Sequence, residues 1–154
     1  MKSDSNIPRI VPPVYFLVAI IVMILLNSFI PIGRWLPFPW RWLGILPIVA
    51  GFLLSLGSGN LFRRKGTPPR PGLKANALVT SGPFRFTRNP MYIGLLTMLI
   101  GIAILLGSFS PLIVVPFMFC ILHFKFILKE EKWMESWFGE PYVEYKKKTP
   151  RWIF

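Results

Sequence analysis

The sequence predicts an all-α, polytopic membrane protein with about four transmembrane helices, and three observations carry that prediction. The 154 residues are strongly basic, with 18 Lys+Arg against 6 Asp+Glu and a formal net charge of +12. They are nevertheless apolar, with a mean hydropathy of +0.54 and 14 Phe, 6 Trp and 4 Tyr. The charges are also segregated: residues 10–33, 42–62 and 89–124 hold no Asp, Glu, Lys or Arg. A soluble nucleic-acid binder matches the charge but not the hydropathy, so no nucleic-acid partner is expected. A disordered basic tail is excluded for the same reason. The single cysteine, Cys120, excludes a disulfide framework and a thiolate zinc cluster. The single histidine, His123, excludes a multi-histidine site, so no metal is expected.

Each element follows from those runs. A membrane-spanning helix needs roughly 20 apolar residues. The runs of 24 and 21 residues at 10–33 and 42–62 therefore fit one helix each, at about 12–31 and 42–62. The first is too long in its apolar part for a cleaved signal peptide, and no small-x-small site follows Asn27-Ser28-Phe29. Between them, Arg34, Trp35, Trp40, Arg41 and Trp42 read as an interfacial aromatic belt. The 36-residue run at 89–124 would be about 54 Å long as one helix, nearly twice the roughly 30 Å hydrocarbon core. Gly107-Ser108-Phe109-Ser110-Pro111 is a turn signal, so the third and fourth helices form a tight hairpin at about 90–107 and 111–129. Trp133, Met134, Trp137 and Phe138 then recur at helical spacing. They predict an amphipathic cytoplasmic extension to about Trp137, stopped by Gly139 and Pro141. Residues 142–154 add lysines to Tyr145, Trp152 and Ile153 and read as a basic aromatic membrane anchor.

Sidedness follows from the Lys/Arg bias. Four spans place both termini on the side of the 63–89 loop. That side holds sixteen basic residues: Lys2, Arg9, seven from Arg63 to Arg88 and seven from Lys125 to Arg151. The other side has only Arg34 and Arg41. Both termini are expected in the cytoplasm, with the protein in a bacterial-type inner membrane and membrane lipids as its neighbours.

Several residues are candidates for chemistry. The 63–89 loop exceeds the usual limit of about 12–15 residues for a plain connection. It mixes prolines 68, 69, 71 and 83 with Leu73, Leu78, Val79, Phe84 and Phe86. It is either part of a site or a basic loop lying on anionic headgroups. Glu130 and Glu131 sit where the fourth helix leaves the bilayer. Ionisable groups at that depth are costly and tend to mark function, although pairing with nearby Lys or Arg is the alternative. Arg88-Asn89-Pro90 opens the third helix, with Pro90 suited to the first turn and Asn89 to capping its amides. A helix N-terminus also favours anionic ligand groups, and the Tyr92 hydroxyl lies within the same turn. Gly57-Ser58-Gly59 ends the second helix as a lone G-x-G. Gly51, Ser55 and Gly59 equally form a small-residue packing stripe, as do Gly94, Thr97 and Gly101 on the third helix. His123 shares a helix face with residues 127, 130 and 131 and reads as a hydrogen-bonded structural group or a catalyst. No P-loop, strand-based G-x-G-x-x-G or Ser/His/Asp set is present.

Taken together, these residues resemble the isoprenylcysteine carboxyl methyltransferase family in its broad bacterial sense, a superfamily that includes the phospholipid N-methyltransferases. The likeness rests on the continuous stretch from Leu78 to Gly94, with Arg88-Asn89-Pro90-Met91-Tyr92 at its centre. It continues at Glu130-Glu131, Phe138-Gly139, Tyr142, Tyr145 and Arg151-Trp152-Ile153, and Phe62-Arg63-Arg64-Lys65-Gly66-Thr67 precedes it. It covers about residues 50–153 of what is expected to be a single 1–154 domain. The resemblance implies an S-adenosylmethionine-dependent methyltransferase acting on a lipophilic small molecule at the cytoplasmic face. It implies a cofactor pocket formed by Arg88, Asn89, Pro90, Tyr92, Glu130 and Glu131, and more weakly by Gly57 and Gly59, with Arg88 and Glu131 carrying catalysis. Many members have His where Asn89 stands, and Asn cannot titrate. Two alternatives stay open: a nicotinamide-dependent membrane reductase of the sterol reductase type, and a non-enzymatic lipid-binding protein. The residues do not choose among O-, N- and S-methylation, and they leave the oligomeric state open.

Overall fold

The computed structural model describes residues 11–68 and 72–153, and their regular structure is helical. Lys2, Arg9, Arg70, Pro69 and Pro71 lie outside the described residues. Helix α1 (Pro12–Phe29) opens on proline, whose missing N–H costs nothing in a first turn. A tight helical turn at Trp40–Gly44 runs straight into α2 (Ile45–Arg64), and the two make one apolar rod of 25 residues. Helix α3 (Pro90–Leu106) ends on Gly107 at φ 74°, a left-handed conformation that glycine adopts without a Cβ penalty. The turn Ser110–Ile113 leads the chain back into α4 (Val114–Ile121), one π-helical turn (Leu122–Ile127) and α5 (Leu128–Phe138). Helix α6 (Glu140–Lys148) follows. Three rods, Pro12–Phe29, Trp40–Arg64 and Ser110–Phe138, are long and apolar enough to cross a membrane, and α3 is a shorter apolar helix.

Helix α3 is the centre of the bundle, with α2 on one side and α1 and α4 on the other. The α2–α3 contact is made backbone to backbone. A Cβ at Gly51 would lie 2.4 Å from the Gly94 carbonyl, and one at Gly101 would lie 2.5 Å from that of Gly44. Ser55 donates to the Met91 carbonyl at 3.0 Å. The pairings 44 with 101, 51 with 94 and 55 with 91 run antiparallel, so Gly51, Ser55, Gly94 and Gly101 are packing residues. Thr97 instead bonds its own turn at Ile93. On the far side, Met23, Leu99, Met118, Leu122, Phe126 and Ile127 form the buried core. The outer surface is also apolar: Leu17, Ile21, Leu46 and Leu53 are each more than half exposed. Water would disfavour such a surface at about 25 cal/mol per Å², whereas lipid suits it.

At one end of the bundle lies the aromatic segment between α1 and α2. Residues 32–35 pair with the 107–109 turn through Trp35 N–H to Gly107 O at 3.2 Å and Phe109 N–H to Ile32 O at 3.0 Å. Trp35 stacks on Phe109, while Phe38, Trp40 and Trp42 stay exposed.

The other end departs from the sequence expectation. Gly139, at φ 58°, ends α5, but Pro141 opens α6 rather than stopping a helix. The chain has already broken at Gly139, so Pro141 falls in a first turn, where proline is favoured. Tyr142, Tyr145 and Trp152 are buried, so the segment turns inward instead of forming a membrane anchor. The Trp152 indole donates to His123 Nδ1 at 3.2 Å, and its ring sits 4.7 Å from that of Phe119. Only a buried acceptor lets an indole N–H leave water without penalty.

Candidate functional site

At the basic end, the start of α3, the first turn of α5, the 72–89 segment, α6 and an extended strap at 149–152 converge. The strap is tied down by backbone groups. Arg88 N–H donates to Pro150 O at 2.9 Å, and the Thr87 hydroxyl and Asn89 amide both donate to Arg151 O at 3.0 Å. Asn89 therefore does not cap α3 with its side chain. Its amide is taken by the strap, and its own N–H is held by the Thr87 hydroxyl at 3.2 Å.

Glu131 lies beneath the strap at 7% exposure. It accepts both forks of the Arg151 guanidinium, at 2.9 and 2.7 Å, and Arg88 Nη1 approaches it to 2.9 Å. That approach is an ion pair by distance without hydrogen-bond alignment. Arg88 Nε and Nη1 are thus buried with no hydrogen-bond partner among the described residues. Glu131 is thus shared between two guanidiniums. One residue earlier, Glu130 accepts the Tyr92 hydroxyl at 2.5 Å. Burial pushes the Tyr142 hydroxyl up to about 12, with the nearby Glu131 charge adding to the shift. Burial also raises Tyr145, whose hydroxyl donates to Phe84 O at 2.6 Å. The hydrogen bond to Glu131 raises Arg151. All three groups keep their protons near neutrality.

Arg88, Tyr92, Glu130, Glu131, Tyr142 and Tyr145 floor a cleft of about 800 Å³, its open mouth included; Arg151 stands behind Glu131. Leu73, Leu78, Val79, Trp133, Met134 and Trp137 give it an apolar wall. The long loop is part of that wall. Thr67 and Ala77 bond each other, Asn76 donates to Gly66 O at 2.6 Å, and Phe84 packs edge-on against Phe62. Ala75, Val79 and Phe84 are buried, so the loop folds inward rather than lying flat on headgroups.

Of the sequence candidates, Arg88, Asn89, Pro90, Tyr92, Glu130 and Glu131 line this one cleft. Gly57 and Gly59 do not. Among the described residues, a Cβ at Gly57 would meet nothing beyond its own helical turn within 4 Å, and one at Gly59 only the Met91 sulfur at 3.8 Å; α2 reaches the cleft later, through Phe62. His123 is also outside it. The π-helical turn intervenes before the glutamate pair, and His123 is held by Trp152. Arg151, Tyr142 and the Trp133–Trp137 wall carry parts of the site that sequence reasoning left without a role. The signal for Arg151 was available: it is the only arginine after Arg88, and gripping both oxygens of a carboxylate is arginine chemistry.

The family model for phospholipid methyltransferase matches residues 39–141. The chain is similar to a protein-S-isoprenylcysteine O-methyltransferase of Schizosaccharomyces pombe, 36% identical over 52% of this chain and 34% of that protein. It is similar to the Xenopus laevis protein of the same name, 38% identical over 49% of this chain and 26% of that one. It is also similar to the cobalt-zinc-cadmium resistance protein CzcN of Cupriavidus metallidurans, 33% identical over 51% of this chain and 36% of that protein. The match thus spans between 26% and 36% of the length of these relatives. No solved structure matches.

Proposed function

The chain belongs to the phospholipid methyltransferase family, and from that premise we propose that it is an S-adenosylmethionine-dependent membrane methyltransferase acting on a lipophilic acceptor. The observation that carries this reading is Arg88. A buried guanidinium whose Nε and Nη1 have no hydrogen-bond partner among the described residues, at the polar floor of a cleft with an apolar wall, fits a carboxylate such as the one the cofactor bears. Glu130, beside it, fits an amino group or ribose hydroxyls. The apolar wall fits both an adenine ring and a lipid tail. When bound, the cofactor supplies a methyl group on a positively charged sulfur.

The chain's own work is then alignment and exclusion of water. Arg88 orients the carboxylate. Glu131 holds Arg88 and Arg151 in place and keeps the strap closed. Asn89 fixes the backbone at residue 151 rather than moving a proton. The family description and the relatives' names support acceptors such as a phospholipid amine or an isoprenylcysteine carboxylate. A carboxylate acceptor is already ionised at neutral pH, whereas an amine must first lose a proton.

The same reading has four membrane crossings, with α3 as the third, in a bacterial-type inner membrane. Both termini, the long loop and the cleft face the cytoplasm, as the sixteen-to-two distribution of basic residues supports. The test is a thermal-shift titration of the purified protein with S-adenosylmethionine, S-adenosylhomocysteine and NADPH. Stabilisation by the first two and not the third is expected; no shift with either overturns the reading. Incubation of membranes with methyl-labelled donor then identifies the acceptor.

A further inference from the structure

A second concavity lies on the other side of the bundle, between α1 and α4. It encloses about 670 Å³ counted to its open side. Ala19 and Met118 form its buried floor, and Val18 and Phe117 stand out as rims, 52% and 67% exposed. Every lining side chain except Tyr15 is apolar. The groove runs from Tyr15 to Leu26, about 16 Å along a helix axis. That is about half of the roughly 30 Å hydrocarbon core, the depth of one leaflet.

The end at Tyr15 is charged. The Lys125 ammonium is hydrogen-bonded to the Tyr15 hydroxyl and lies 4.7 Å from the ring centroid. Lys129 follows one turn later. Neither lysine makes an ion pair among the described residues. An apolar channel one leaflet deep thus ends beside a lysine that has no ion-pair partner among the described residues. We propose that this groove binds one acyl chain of an anionic phospholipid, with the phosphate on Lys125.

The charge decides between occupants. A helix from a second copy would cover the apolar channel but would leave Lys125 without counter-charge at its end, and it would extend beyond one leaflet. A zwitterionic lipid would fill the channel and gain little at Lys125. Basic groups at the membrane surface each favour anionic headgroups by about 1 kcal/mol, a factor of about five in affinity. The groove is also independent of the methyltransfer reading. Its α1 wall lies outside the family-matched residues 39–141, and none of its lining residues lines the cleft.

The experiment is native mass spectrometry of the full-length protein released from detergent, titrated with phosphatidylglycerol or with phosphatidylcholine of the same chains. One phosphatidylglycerol is expected to be retained about five-fold more strongly than phosphatidylcholine. Lys125→Gln, a change at an exposed position, should bring the two to parity, and Ala19→Phe should lose both lipids. Phosphatidylglycerol bearing a diazirine on its chain should label peptides from residues 15–26 and 113–121; this arm uses the unmodified protein and does not depend on the folding of any variant. Equal retention of the two lipids, retention unchanged by Lys125→Gln, or labelling elsewhere overturns the proposal. So does a dimer mass that disappears in Phe117→Ala, which would assign the groove to a second copy.

Discussion

Glu131 concentrates the electrostatics of the cleft in one side chain. A buried carboxylate is tolerated when its charge is paired, and removing it strands its partners. Glu131→Ala is therefore expected to cost about 3 kcal/mol, at the lower end of the range because Arg151 is partly exposed, and to abolish stabilisation by S-adenosylmethionine. Thermal unfolding with and without the ligand measures both effects. Tyr92→Phe removes a hydrogen bond to a carboxylate and should cost about 1.5 kcal/mol, with weaker ligand binding in the same assay. Tyr142 adds an alkaline signature. Its folded value of about 12 lies above the ordinary value of about 10, so the unfolded chain loses this proton first. The stability it contributes is present below pH 10 and is lost as pH rises toward 12, and Tyr142→Phe should flatten that window in denaturant titrations. Arg88, Tyr92, Glu130 and Glu131 stand out in the sequence because charged and hydroxyl groups are rare beside apolar runs. The partner of Asn89 was not legible. It is a backbone carbonyl 62 residues away, and carbonyls leave no mark on composition.

At the scale of elements, the charge-free runs made the helices readable, and glycine spacing made one interface readable. Gly94 tests that interface. A Cβ there would lie 2.1 Å from the Ser55 hydroxyl oxygen and 2.5 Å from the Gly51 carbonyl, so α2 and α3 must move apart. Gly94→Ala should cost about 1–3 kcal/mol. Gly57→Ala, with open space around it, should gain up to about 1 kcal/mol from helix propensity and leave ligand binding unchanged. Parallel unfolding and titration of the two variants separates packing glycines from site glycines. What stayed hidden was backbone detail. A π-helical turn at Leu122–Ile127 has no compositional signature, and Pro141 looks the same whether it ends one helix or starts the next. The difference is the positive φ of Gly139, one break earlier.

At the scale of the whole molecule, the two ends of the bundle have opposite characters: an exposed aromatic belt at Phe38, Trp40 and Trp42, and a basic end that holds the cleft. Sidedness can be read chemically. Cys120 is exposed, so it is first replaced by alanine. A cysteine at Lys147 should then react with an impermeant maleimide in inside-out vesicles but not in right-side-out ones, and a cysteine at Trp40 should do the reverse. The strap has a further consequence, for biosynthesis. The Thr87 hydroxyl, the Arg88 N–H and the Asn89 amide find their acceptors at residues 150 and 151, which are translated after the last apolar helix. On the proposed reading, a chain truncated before Thr149 is expected to keep its apolar helices yet lose stabilisation by S-adenosylmethionine, so ligand binding would report that translation has passed the strap.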